Sequence, residues 1–525
     1  MREPSKCSRY LSLAALTATA ASFAFVADTF AQGMMMRGPN AGIMRGPSTN
    51  MNPGRIGGGS IANTGPRTPG STARIPGGAG PRIPGGPGVV VTIPSGGGGG
   101  GGGPPHVYVD DDDDHPRRRP PKKNTPQQQQ QKQQQASSNR PGFNLPPSGE
   151  RNLVPNEVLV TTPAALPNDV FQAILRRHRL TQIETQDFQL TGRRIHRLRI
   201  NGNRSVSQVI NALRSETQLN RAGANFQYAL LQANALNAGD GAGEQYALAK
   251  LRLNEAHAIA RGQSVVVAVI DSMIDADHPE LKGMIVDRFN ATGAEDKPHA
   301  HGTGMAGAIA SQGRVTGTAP AVRVLAAKAF GVASKDGQGT TFHILKSIEW
   351  AAKNGARVIN MSFAGPTNDP EIADMLAAAR TKKIVLIAAA GNAGPKSPPL
   401  FPAADPNVIA VTATDNQDRG FERAVRGKHI AVSAPGVDIL VPSTDSGYQL
   451  TSGTSVAAAE ISGVAALLVE RGPTLDADNV RKLLMSSARD LGPKGHDVQF
   501  GAGLTDAYQA LMLLPPPPAA PVATK

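Results

Sequence analysis

Three short segments of this 525-residue chain carry side chains suited to nucleophilic attack on a carbonyl. Asp271 closes the apolar run Val265–Ile270, His301 opens the small-residue segment Gly302–Ala310, and Ser455 opens the apolar run that ends at Arg471. A carboxylate beside an imidazole fixes its tautomer and stabilises the imidazolium. The imidazole in turn takes the proton of a hydroxyl, which becomes the nucleophile. Asn392, at the end of I-V-L-I-A-A-A-G-N, adds a side-chain amide able to donate to an oxyanion. Taken singly, each residue has a plainer structural reading: a strand-end Asp, a core His, a helix-capping Ser, an Asn in a turn. Together, in the order Asp, His, Ser, they form one of the chain orders in which this constellation occurs. His299 is the rival base, but it lies in the polar loop E-D-K-P-H-A, whereas His301 stands at a helix start. Asp275 and Asp277 read as turn and rim residues without a partner.

The elements around these residues fit the roles. Val265–Ile270 is unbroken, apolar and β-branched, which predicts a strand buried on both faces. Asp271 then sits at its carboxyl end, where open α/β sheets place their sites. Gly302–Ala310 suits a helix packed tightly against a sheet. The run after Ser455 predicts a helix stopped by Gly472-Pro473, with Ser455 at the positive end of the dipole among free N–H groups.

In combination these motifs resemble the subtilisin-like serine proteases, or subtilases, over residues 244–512. The resemblance implies a doubly wound, mainly parallel α/β sheet and an endopeptidase acting on proteins or peptides. It assigns Asp271 as acid, His301 as base, Ser455 as nucleophile and Asn392 as oxyanion donor. Asn360–Gly365, N-M-S-F-A-G, resembles the family's substrate strand and gives Ser362, Phe363 and Ala364 as substrate-binding residues. Ala389, Ala390 and Gly391 resemble the opposite wall of the pocket for the side chain before the scissile bond. No cofactor is required; family members often bind Ca²⁺, but no acidic cluster here has the spacing of an EF-hand loop. Four departures stand out: Met273 for a usual Gly, Gly304 for a second His, and Ala459 and Glu460 for Pro and His. None removes a proton-transfer group.

The remaining chain divides by composition. Residues 1–31 read as a secretory signal, with Arg2, Lys6 and Arg9 before the apolar stretch Leu11–Val26; an uncleaved anchor is the alternative. No later segment is long and apolar enough to span a membrane, and the expected location is periplasmic or extracellular. The single Cys7 allows no intramolecular disulfide. From residue 244 onward there are 27 basic and 27 acidic residues, so the net charge of +13 arises entirely before that point. Residues 32–150 are rich in Gly, Pro, Arg and Gln and read as a disordered spacer. Acidic and basic runs alternate there and aromatics are scarce, which argues against nucleic acid as a partner.

Residues 151–232 read as a small β-α-β-α-β unit resembling the ferredoxin-like propeptide of subtilases, an intramolecular inhibitor; a generic docking domain is the alternative. Residues 233–243 are a Gly-rich linker, and self-cleavage is expected between Tyr228 and Gln245, near Leu236. Residues 513–525 form a Pro-rich tail. The rival for the whole chain is a catalytically idle protein of the same fold, attached to a surface through its basic N-terminal region.

Overall fold

The computed structural model describes residues 140–231, 236–237, 245–331 and 337–516. The expected signal, nearly all of the low-complexity region, most of the linker and the end of the tail lie outside the described residues.

The first described unit is built from β1 (Leu153–Thr162), helix α1 (Asn168–Arg177), β2 (Leu180–Phe188), β3 (Arg193–Ile200), helix α2 (Val206–Leu213) and β4 (Arg221–Leu230). Its strands pair antiparallel in the order β2-β3-β1-β4. Phe171, Ile174 and Leu175 of α1 and Val209, Ile210 and Leu213 of α2 enter its core. Ser205 and Gln208 close a reciprocal capping box that starts α2. The sequence pattern predicts one strand fewer. β2 is an edge strand in which only Leu180 and Phe188 are buried, so it lacks the alternation that marks a strand. The unit also begins upstream of residue 151. Phe143 is buried and bridges Ala222, and the Arg140 guanidinium donates to the carbonyls of Glu216 and Leu219.

Beyond the short β5 (Leu236–Asn237), a seven-stranded parallel sheet forms the larger unit. Its early elements are β6 (Val266–Asp271), β7 (Ile285–Asn290), helix α3 (Ala300–Ala310) and β8 (Arg323–Lys328). Two short strands follow, β9 (Phe330–Gly331) and β10 (Gln338–Thr340), then helix α4 (Thr341–Lys353) and β11 (Val358–Met361). The chain continues through β12 (Phe363–Ala364), helix α5 (Pro370–Thr381), β13 (Val385–Ala389), β14 (Ile409–Thr414) and β15 (Ile430–Pro435). A hairpin of β16 (Ile439–Pro442) and β17 (Tyr448–Thr451) leads into helix α6 (Thr454–Arg471).

The parallel order is β15-β14-β13-β11-β6-β8-β7. Strand order reverses beside β6, which places the end of that strand at a topological switch point. Alternate residues of β6 enter different cores. Val267 and Val269 pack with α3 and α6, while Ala268 and Ile270 pack with α4 and α5. That two-sided burial is why the run before Asp271 contains no polar residue.

One strand joins the two units. β4 pairs with β1 in its own sheet and, further along, lies antiparallel to both β10 and β12. Leu230 stands opposite Phe363, and Ala229 opposite Ala364 on one side and Gln338 on the other.

Candidate active site

Asp271 is fully buried at the end of β6. Its Oδ1 accepts from His301 Nδ1 at 2.8 Å, from the Ser272 N–H at 2.7 Å and from Ser272 Oγ at 3.1 Å. His301 is the second residue of α3, with its ring 7% exposed. The rival His299 is the N-cap of that helix. Its Nδ1 accepts from the His301 N–H at 3.2 Å, which makes it a structural partner and explains the short spacing of the two histidines. Burial, with His301 close by, holds the His299 imidazole below its ordinary pKa.

Ser455 is the second residue of α6, where backbone N–H groups have no acceptor within the helix. Gly453 precedes the helix with φ 153°, a conformation that side-chain-bearing residues rarely adopt, and so sets the turn into it. The Ser455 hydroxyl donates to the Leu231 carbonyl at 3.1 Å and approaches the Ser362 carbonyl at 3.4 Å. His301 Nε2 is buried without a hydrogen-bond partner among the described residues.

Asn392 points the other half of the site at the same carbonyl. Its Nδ2 donates to Leu231 O at 3.1 Å. The amide is oriented by Thr454, whose N–H and hydroxyl both donate to Asn392 Oδ1, at 3.1 and 2.9 Å. Thr454 Oγ1 also accepts from the Gly391 N–H at 3.1 Å, tying the turn after β13 to the start of α6. Sequence alone gives Thr454 no role in the site. The spacing T-S at a helix start carries no signal for an amide 62 residues away.

The expected substrate strand meets the chain's own strand. The Leu231 N–H approaches Ser362 O at 3.4 Å, and Phe363 and Ala364 pair with Leu230 and Ala229. Ala389 and Ala390 are fully buried at the end of β13, and Leu231 packs against the core that contains Ala389. Gly391 is tied to the start of α6 through its N–H to Thr454. Beneath Ser455 runs a buried polar chain that sequence reading missed. Ser362 Oγ donates to Ser455 O at 3.0 Å, Asn360 Nδ2 to Ser362 Oγ at 3.0 Å, and Ser462 Oγ to Asn360 Oδ1 at 3.1 Å.

Farther along β4, Tyr228 is buried with its ring edge-on to Phe363, centroids 6.1 Å apart. The Phe226 N–H donates to Thr341 Oγ1 at 3.0 Å, and that hydroxyl donates to Asp369 Oδ2 at 2.5 Å. Burial pushes the Asp369 carboxyl up to about 7. Charged contacts flank the strand. Arg193 and Arg221 both reach Asp374, at 2.7 and 2.6 Å, and Glu349 accepts from the N–H groups of Gln189 and Leu190 at 2.9 and 3.1 Å.

Three of the four departures from the family pattern lie in packed surroundings. A Cβ at Gly304 would lie 2.9 Å from Val441 Cγ2 and 3.1 Å from Gln449 Nε2, so a second histidine would press on the side chains of the β16–β17 hairpin. Met273 is buried, and its carbonyl accepts from the His299 N–H. Glu460 is buried within α6, and desolvation raises its carboxyl to about 8. Among the described residues, no group of three or more His, Cys, Asp or Glu is placed to hold a metal ion, and no helix is long and apolar enough to cross a membrane.

Comparison with known proteins points to one family. The model of the subtilase family matches residues 262–503. Thermitase of Thermoactinomyces vulgaris is 32% identical over 274 residues, covering 51% of this chain and 95% of the relative. Subtilisin DY of Bacillus licheniformis is 35% identical over 259 residues, covering 48% and 92%. The crystal structure of fervidolysin from Fervidobacterium pennivorans, a keratinolytic enzyme related to subtilisin, superimposes with a TM-score of 0.60 at 23% identity. That match covers 70% of this chain and 62% of fervidolysin, and it supports the fold. The chain belongs to the subtilase family of serine endopeptidases.

Proposed function

We propose that Asp271, His301 and Ser455 are the catalytic triad, that Asn392 holds the oxyanion, and that the first substrate is the chain's own Leu231–Gln232 bond. The observation that carries this reading is the Leu231 carbonyl, which accepts from both Ser455 Oγ and Asn392 Nδ2 at 3.1 Å. Rotation about the Ser455 side-chain bond hands its proton to the free Nε2 of His301, and Oγ adds to the Leu231 carbon. Asp271 Oδ1 keeps Nδ1 protonated and stabilises the imidazolium. The oxyanion is held by Asn392 Nδ2 and first-turn N–H groups of α6. His301 then protonates the leaving amine of Gln232, and water releases the acyl group by the same route in reverse. In this reading the chemistry uses no cofactor.

The unit from about residue 140 to Leu231 is then a ferredoxin-like inhibitory propeptide, since its β-α-β-β-α-β order and 2-3-1-4 strand arrangement fit that fold. The cleavage point is Leu231 rather than the neighbourhood of Leu236, which pairs with β17 instead. The enzyme is made as a self-processing zymogen and, with the signal-like segment 1–31, secreted. Wild type and Ser455→Ala, expressed without residues 1–31, test this by mass spectrometry of their N-termini. Wild type should begin at Gln232 and Ser455→Ala should stay uncut. An uncut, fully active wild type would overturn the zymogen reading, and normal turnover in Ser455→Ala would overturn the triad.

A further inference from the structure

The chain is held on both sides of the carbonyl at Ser455. On the amino side β4 lies between β10 and β12. On the carboxyl side, β5 pairs antiparallel with β17, with Leu236 opposite Leu450 and Asn237 opposite Gln449. β17 has β16 on its other edge, so β5 occupies the edge of β17 that the hairpin leaves open. β17 ends at Thr451, four residues before Ser455, so the edge adjoins the reacting centre. Counted from the Leu231–Gln232 bond, Leu236 and Asn237 are the fifth and sixth residues of the leaving segment.

We propose that the open edge of β17 is an extended site for the leaving side of the substrate, engaged by main-chain pairing at the fifth and sixth residues after the scissile bond. The inference rests on Leu231–Gln232 being that bond. Residues 236–237 are the site's first occupant, and extended segments of protein substrates follow them by adding a strand. Main-chain pairing reads extension rather than side chains, so the site selects substrates by length and lack of fold. Short peptides, which end before the fifth residue, forgo it.

The test uses the full chain without its signal-like segment. Three forms are compared for the rate at which Gln232 appears as N-terminus: wild type, the double variant Leu236→Pro with Asn237→Pro, and Leu236→Ala with Asn237→Ala. Proline lacks the N–H and is excluded from a paired strand interior, so the proline form should process about tenfold more slowly, the net worth of about two main-chain hydrogen bonds. The alanine form should match wild type. In parallel, internally quenched peptides copying residues 224–234 and 224–239 are offered to the processed enzyme. The longer should show a KM lower by about tenfold, and N-methylation at its fifth and sixth leaving-side amides should abolish the gain. Equal processing of all three forms, or a KM blind to length, overturns the proposal. A wild type that fails to cut itself or any peptide fails the catalytic reading instead.

Discussion

Glu460 offers the sharpest test of how the interior is organised. It sits in α6, five residues after Ser455, buried and without a hydrogen-bond or ion-pair partner among the described residues. Desolvation raises its carboxyl from 4.5 to about 8. A carboxyl raised on folding contributes stability that is complete below the unfolded value and is lost as pH climbs to the folded one. For Glu460 that window runs from 4.5 to about 8. At about 1.4 kcal/mol for each tenfold change in proton activity, the loss across the window is a few kcal/mol. Glu460→Gln keeps the shape and removes the titration, so it should be nearly neutral at pH 4.5 and stabilising by a few kcal/mol at pH 9. The assay is urea unfolding followed by circular dichroism from pH 4.5 to 9, in Ser455→Ala protein to prevent digestion. Asp369, raised to about 7 by burial, loses stability in the same direction, but it is common to both proteins and cancels in the difference. Parallel curves for the two proteins across the whole range would refute the reasoning, because they would mean that Glu460 ionises as freely folded as unfolded.

Other consequences are equally direct. Asn392→Ala should lower turnover on a peptide by roughly a hundred- to a thousandfold, a range that comes from a subtilisin itself, while KM changes little; unchanged turnover removes its oxyanion role. Tyr228→Ala deletes a buried ring against Phe363, and a Tyr-sized cavity in the docked strand costs about 3 kcal/mol. The cut propeptide should then leave faster, seen as a shorter lag before peptide hydrolysis begins. Asp374 is partly exposed and accepts from two arginines across the interface, so Asp374→Asn should weaken propeptide retention by about 1 kcal/mol and flatten its dependence on salt. An equal salt response in the variant would mean the pairs carry no net attraction.

The candidate site was legible because each of its residues closes or opens an element whose pattern is local. An apolar run ending in Asp271, a small-residue helix opened by His301 and an apolar helix opened by Ser455 need no tertiary knowledge to recognise. The parallel sheet followed from the same runs, since β6 is apolar at every position before Asp271 only if both faces are covered. What escaped was long-range. β2 shows little alternation because an edge strand leaves most of its residues in water, and no local pattern reveals that β3 will pair with it. Leu231 and Leu236 are both leucines in a small-residue stretch. Only the pairing of β4 with β12 and of β5 with β17 decides which of them delivers its carbonyl to Ser455. Asn360 and Thr454 carry no local signal of their roles, because their partners lie 102 and 62 residues away.

The strand β4 is counted in two ledgers at once, as an outer strand of its own unit's sheet and as the filling of the cleft. None of its pairings passes through the Leu231–Gln232 bond. If the enzyme cuts that bond as proposed, the cut breaks none of these strand pairings and changes the order of the association, from one molecule to two. Before the cut, dilution has no effect on occupancy of the cleft; afterwards the two pieces obey an ordinary dissociation equilibrium, without the high effective concentration that a tether provides. The enzyme would then behave as a clock started by the first cut and read out by dilution. It would stay quiet where it is synthesised and concentrated, and become active as the two pieces drift apart.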